Sequence, residues 1–161
     1  MTGYTIRRAT AADADRLHAA LARLALHLGS PEKFRARPAD YLRHGFQAEP
    51  LFRALIAEEG ATTMGVAVYF PEFSTMRGRP GVYLQDLWVA DEARGGGLGP
   101  QLLAAVARDA AGWQASYMKL SAHVDNPGAI RFYRRLGFAE DAGEQVFVID
   151  GAGYAGLAER A

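Results

Sequence analysis

Arg94-Gly95-Gly96-Gly97-Leu98-Gly99 stands between an apolar, strand-like run and an alanine-rich, helix-like one. Glycine reaches positive φ without steric cost and lets backbone approach a ligand closely. The N–H groups that open a helix point outward with the positive end of its dipole. A strand-to-helix turn of this composition can wrap a pyrophosphate, and Arg94 adds a full charge beside it. The placement between a strand and a helix points to a fold in which strands feed helices, and to a nucleotide-bearing cofactor. Two familiar phosphate loops are excluded. No Gly-Lys-Ser or Gly-Lys-Thr follows, so the lysine and Mg-binding hydroxyl of a P-loop are missing. A dinucleotide loop sits early in a βαβ unit, whereas Gly95, Gly97 and Gly99 come late, after a strand-rich stretch. Alone, the cluster also admits a plain glycine-rich turn, so a second signal is needed.

The flanking periodicities give the frame. Residues 4–8 read as a first strand, and Thr10-Ala11-Ala12-Asp13 as a capping box with Asp in place of Glu. Leu17, Leu21, Leu24 and Leu28 share one face of a 3.6-residue period until Gly29-Ser30-Pro31 stops the helix. A shorter helix is expected over 38–46, with a substrate-side loop before it. Residues 51–58 and 62–70 read as a hairpin, 71–80 as a loop, and 82–89 as a strand. Within that last strand Leu84 and Leu87 break strict alternation, which predicts a bulge near Gln85 and Asp86. Leu98, Leu102, Leu103, Val106 and Ala110 form the apolar side of the helix that the glycine loop opens, with Pro100 in its first turn. A strand over 117–124, a helix over 127–136 capped by Gly137, a hairpin over 138–149 and a tail over 150–161 complete the reading. The expected class is α+β, or mixed α/β: a mostly antiparallel twisted sheet flanked by helices, in one domain of residues 1–161.

A second motif makes the glycine cluster specific. Asn126-Pro127-Gly128-Ala129-Ile130-Arg131-Phe132-Tyr133-Arg134-Arg135-Leu136-Gly137-Phe138 resembles the Asn-x-x-Ala-x-x-Phe-Tyr-x-x-x-Gly-Phe helix of the GCN5-related N-acetyltransferase (GNAT) superfamily. Val89 to Gly99 resembles that superfamily's acyl-CoA loop, and the likeness extends over residues 4–149. It implies that the bulged strand splays from its neighbour to admit the pantetheine arm of acetyl-CoA. It also implies that Leu87, Trp88 and Val89 pair with that arm through their backbone. Arg94, Gly95, Gly96, Gly97, Leu98, Gly99 and Pro100 are implied to hold the pyrophosphate, and Asn126 and Ala129 to contact the cofactor. Tyr133 matches the tyrosine expected to protonate the leaving thiolate.

Transfer of an acetyl group to an amine needs a neutral nitrogen, a polarised carbonyl, a protonated leaving group and reactants held in line. Tyr83-Leu84-Gln85-Asp86 and Phe70-Pro71-Glu72-Phe73-Ser74-Thr75 resemble segments of the diamine and polyamine acetyltransferase branch. The resemblance implies a small aminoalkyl substrate met by Asp86 and Gln85, a homodimer, and direct attack without an acyl-enzyme. Gln85 stands where the branch carries glutamate, which removes one negative charge. An amino acid, an aminoglycoside or a protein N-terminus is the alternative acceptor, and an inert acyl-CoA-binding module the alternative class. His123 shares a strand face with Ser121 and Asp125 but falls outside the catalytic set, and no histidine spacing suggests a metal site.

Composition narrows the classes further. Eighteen basic and eighteen acidic residues give a formal net charge of zero, so no global field recruits nucleic acid or an anionic membrane. There is no cysteine, which excludes a thiolate metal site and a cysteine nucleophile. Residues 1–8 lack an apolar signal region, and no apolar run approaches membrane-spanning length, so a cytoplasmic enzyme is expected.

Overall fold

Valine, isoleucine, leucine and alanine dominate the middle of three long strands, and these form the centre of the sheet. The computed structural model describes residues 3–160. It falls into two compact units, residues 1–127 and 128–161. The first unit holds β1 (Thr5–Arg8), α1 (Ala14–His27), α2 (Pro38–Gly45), β2 (Arg53–Glu59), β3 (Thr62–Ser74), β4 (Arg79–Val89), α3 (Leu98–Ala110) and β5 (Met118–Leu120). The strands lie in sequence order, β1-β2-β3-β4-β5. The first three pairings are antiparallel and the last is parallel.

Alternation sorts the sheet residues onto two faces. Val66 and Val68 of β3, with Ile56 opposite Val66, face α1, which brings Leu17 and Leu21 into the core. Ala67 and Tyr69 face α3, which buries Leu98, Leu102 and Val106. The approach of α3 is close at Gly65: a Cβ there would lie 2.8 Å from Leu102 Cδ1 and 3.1 Å from the Trp88 carbonyl oxygen, so a side chain would displace the end of Leu102. The Tyr69 hydroxyl donates to Asp109 at 2.7 Å, and Arg8 and Arg53 pair with the same carboxylate. These contacts tie the end of α3 to β1, β2 and β3.

The entry to α1 is fixed by a buried acid. Asp13, 4% exposed, accepts hydrogen bonds from the Thr10 backbone N–H at 2.8 Å and from both terminal nitrogens of Arg7 at 2.8 and 2.9 Å. The expected capping box is thus present, and Arg7 extends it to Glu58. Hydrogen bonds from Arg7 hold the Asp13 carboxyl well below the usual carboxylate range, against the opposing effect of burial. Asp13→Ala should therefore cost about 2–3 kcal/mol at pH 7, less than a fully buried pair because the Arg7 side chain keeps solvent and Glu58. Because the folded-state pKa is depressed, that stability is present above about pH 4 and is lost as pH falls through the folded-state value. Urea denaturation at pH 7 and well below pH 4 checks it, and a neutral-pH difference below about 0.5 kcal/mol contradicts the assignment.

Several boundaries differ from expectation. Residues 71–80 are not a loop: β3 runs on to Ser74, β4 begins at Arg79, and only residues 75–78 turn. Pro71 is tolerated because β2 pairs with β3 no further than Arg53 opposite Tyr69, so beyond that point β3 has one free edge that needs no donor. The strand expected over 117–124 is confined to Met118–Leu120, the three residues that find partners on β4. In the second unit, α4 (Pro127–Arg135), whose first residue closes the first unit, ends at Gly137 with φ +92°, as its cap predicts. The hairpin expected over 138–149 is absent among the described residues, and Val146 to Val148 are over 80% exposed. Strand propensity becomes strand only where a neighbouring edge accepts the hydrogen bonds. The expected tail instead forms α5 (Gly151–Leu157), and Ala161 lies outside the described residues.

Candidate active site

The bulge predicted in β4 is present, and it decides where Asp86 points. Val68 stands opposite Asp86 while Tyr69 stands opposite Leu84, leaving Gln85 as the extra residue. One inserted residue reverses the face of everything after it. Leu84 and Leu87 therefore both lie on the α3 side, opposite Tyr69 and Ala67, which explains their three-residue spacing. Asp86 moves to the α1 side with Trp88, and Gln85 is exposed.

Asp86 enters a cavity of about 200 Å³ between β4 and the helices above it. Leu21 and Leu24 of α1, Leu28 just past its end, Phe34 of the following segment and Tyr41 of α2 line the rest, together with two alanines. Burial among these groups pushes the Asp86 carboxyl up to about 6. Tyr41 is pushed up to about 12, first by its own burial and then by the charges of Asp86 and Asp40. Its hydroxyl is buried and finds no hydrogen-bond partner among the described residues. A carboxylate in an otherwise apolar cavity can hold an amine and accept its proton.

The edge of β4 next to this cavity is open. Pairing with β5 covers only Val82 to Leu84, so from Gln85 to Val89 the backbone on that side meets no strand among the described residues. Leu87, Trp88 and Val89 thus keep an edge on which an extended ligand can add as a strand. The Trp88 side chain is buried, with the Arg23 guanidinium 5.9 Å from its ring.

β4 leads through a short turn into the glycine loop. Gly95 and Gly97 hold φ of +76° and +83°, so a side chain at either would be strained. Gly97 is the residue before α3, which receives no side-chain cap. The N–H groups of Leu98 and Gly99 open the helix, and Pro100 lacks one where none is needed. Arg94 is exposed; its Nε donates to the Val89 carbonyl at 3.2 Å and its Nη1 pairs with Asp91 at 2.7 Å. The loop fits a pyrophosphate in charge and backbone geometry.

Asn126 closes a turn through its N–H to the His123 carbonyl at 2.9 Å. His123 and Asp125 are largely in solvent, 3.6 Å from each other. Ala129 and Tyr133 belong to α4 in the second unit. The Tyr133 ring meets Phe132 at 5.1 Å and Phe138 at 5.4 Å between centroids, so the aromatic positions of the motif pack together. Among the described residues no cluster could hold a metal ion, and no helix is long and apolar enough to cross a membrane.

Asp86, singled out in the sequence, lines the cavity, and so does Tyr41, which no motif or spacing marks. The leucine stripe is not all core: Leu17 and Leu21 are buried, whereas Leu24 is half-buried and Leu28 is 46% exposed at the cavity. The signal available was length: the stripe continues a full turn past the residues that the sheet covers. Gln85, expected beside Asp86 at the substrate, is not among the cavity-lining residues.

Residues 17–138 match the acetyltransferase (GNAT) family. The human spermidine/spermine N(1)-acetyltransferase-like protein 1 is 28% identical over 152 residues, covering 90% of this chain and 22% of that protein. The Bos taurus thialysine N-epsilon-acetyltransferase is 32% identical over 108 residues, 62% of each. The match thus spans less than two thirds of either relative. Among solved structures, an integron cassette protein from V. cholerae has a TM-score of 0.81 at 25% identity and covers 99% of both chains. An aminoglycoside N-acetyltransferase in complex with CoA has a TM-score of 0.75 at 21% identity, covering 94% of this chain and 97% of its own, a likeness of fold.

Proposed function

The chain belongs to the acetyltransferase (GNAT) family, and from that membership we propose that it moves the acetyl group of acetyl-CoA to the primary amine of a small aminoalkyl compound, in a ternary complex. One observation carries this reading: the bulge turns Asp86 into an apolar cavity beside a β4 edge that is open to an extended ligand. The diamine-branch resemblance and the names of the curated relatives support an aminoalkyl acceptor, diamines and polyamines included. Residues of both units are read as one N-acetyltransferase domain, acting as a cytoplasmic homodimer.

Acetyl-CoA supplies a thioester activated for attack by nitrogen. The protein's part begins with the loop from Arg94 to Pro100, with positive-φ glycines and an uncapped helix start suited to the pyrophosphate. Leu87, Trp88 and Val89 offer strand-like backbone to the pantetheine arm, and one of their N–H groups polarises the carbonyl. Asn126 and Ala129 take the cofactor contacts of the second motif. Asp86 binds the ammonium form of the amine and accepts the proton that attack requires, directly or through water. Its raised pKa narrows the gap to an alkylamine, which helps proton transfer. As the C–N bond forms and the C–S bond breaks, Tyr133 gives its phenolic proton to the departing thiolate and is reprotonated from solvent.

The test is release of free thiol from acetyl-CoA against a panel of aliphatic amines, amino acids and aminoglycosides. Turnover of aliphatic amines is expected. If no amine in the panel releases thiol, the reading fails.

A further inference from the structure

The leucine stripe of α1 outlasts the sheet it packs on, and its last turn lines the Asp86 cavity. Resting on the acetyl-transfer reading, we infer that this wall selects acceptors in which an unbroken apolar chain follows the reacting nitrogen, with the nitrogen at Asp86 and the chain running along the stripe towards Leu28. Leu17, Leu21 and Leu24 of α1 and Leu28 just past its end continue one helical face, at spacings of four, three and four residues. Their exposure grows in that order. Leu17 and Leu21 are buried, Leu24 is half-buried and Leu28 is 46% exposed. Single exposed leucines are ordinary on a protein surface, but Leu21, Leu24 and Leu28 line one cavity, and Asp86 lies in the same wall. Asp86 rises from the sheet opposite buried Val68, whereas Leu28 stands at the solvent. A chain anchored at the acid therefore leaves the cavity past Leu28.

The facing side of the cavity has the same character. Phe34 lines it, and its ring is seated against His18 at 5.3 Å between centroids, which fixes that wall. The Tyr41 hydroxyl is buried, so its ring is what Tyr41 contributes. Methylenes that follow the nitrogen thus meet hydrocarbon on both sides. Each one fully buried there is worth about fourfold in affinity, and a half-open wall recovers part of that. The alternative acceptors fit less well. An aminoglycoside would set hydroxyl groups against leucine without partners, and an α-amino acid would bring its carboxylate next to Asp86. A volume of about 200 Å³ also lies below the roughly 300–1,000 Å³ of drug-sized pockets, which suits a short alkyl chain rather than a peptide segment.

The experiment measures steady-state thiol release, with saturating acetyl-CoA, for propylamine, pentylamine and heptylamine, whose nitrogens are chemically alike. From propylamine to heptylamine kcat/KM is expected to rise at least tenfold, and to do so through KM, because contacts made equally in the ground and transition states act there. Any smaller rise, or one carried by kcat, overturns the inference. Leu28→Ser, at an exposed position on the cavity wall, should lower the heptylamine-to-propylamine ratio at least threefold. Leu26→Ser, 67% exposed on the same helix but outside the cavity wall, should leave that ratio within twofold. A smaller loss at Leu28, or a larger change at Leu26, assigns the length dependence to general surface hydrophobicity and overturns the inference. If no alkylamine releases thiol while an amino acid or aminoglycoside does, the inference fails alone; if no amine does, it fails together with the acetyl-transfer reading.

Discussion

Asp86→Asn is expected to lower kcat/KM for any accepted amine by about 10²–10⁴-fold and, in the same protein, to raise folding stability. The two effects have one cause. Burial in the α1–β4 cavity pushes the Asp86 carboxyl up to about 6, so its ionised form is held at a cost to the fold. A carboxyl whose pKa is higher folded than unfolded binds its proton more tightly in the native state. Its penalty is therefore absent below about pH 4, grows between about 4 and 6, and is full above 6. The asparagine variant should gain about 1–3 kcal/mol at pH 7, with the gain fading as pH falls towards 4. In the unsubstituted enzyme the same ionisation sets the acid limb of activity: kcat/KM should fall as pH drops through about 6, because the protonated acid can neither hold an ammonium nor take its proton. Paired pH–rate profiles and urea titrations check both halves. An asparagine variant that keeps more than a tenth of the activity removes Asp86 from the chemistry.

Tyr133→Phe carries the second large effect. Loss of a positioned general acid is expected to lower kcat by about 10²-fold or more. The phenyl ring keeps its packing against Phe132 and Phe138, so Tm should stay within a few degrees. The diagnostic is the split between constants: KM for the amine should be unchanged, as expected when an interaction made only in the transition state is lost. Falling activity with a rising amine KM would assign the residue to binding. A kcat within twofold of the unsubstituted enzyme would return it to the packed face of α4.

Two features of this site were legible in the chain because each is a local device. The glycine loop is one, since positive φ at Gly95 and Gly97 is a property of single residues and a helix start follows from the leucine spacing after it. The bulge is the other, because Leu84 and Leu87 can face one side only if a residue between them is extra. The readings that failed depended on partners far along the chain. Pro71 looked like a strand breaker, yet it sits in β3 because β2 has already stopped pairing there. Residues 138–149 looked like strands by composition, and composition supplies no neighbouring edge. Tyr41 carried no signal at all: nothing in a helix of ordinary amphipathic pattern says that one tyrosine ends in the wall of a cavity beside Asp86.

By itself the sequence determined the order of the chemistry along the chain: a bulged strand, a glycine loop opening a helix, then Asn126 and Tyr133 on a second motif. It also determined that only one acid, Asp86, stands where a pair was anticipated. The tertiary structure alone decided what surrounds that acid. Which face Asp86 takes is set by its register against Val68, and the height of its pKa by how closely α1 and α2 cover it. Both depend on packing between segments tens of residues apart. Residue spacing records the local turn of a backbone, whereas desolvation depends on which distant side chains take the place of water.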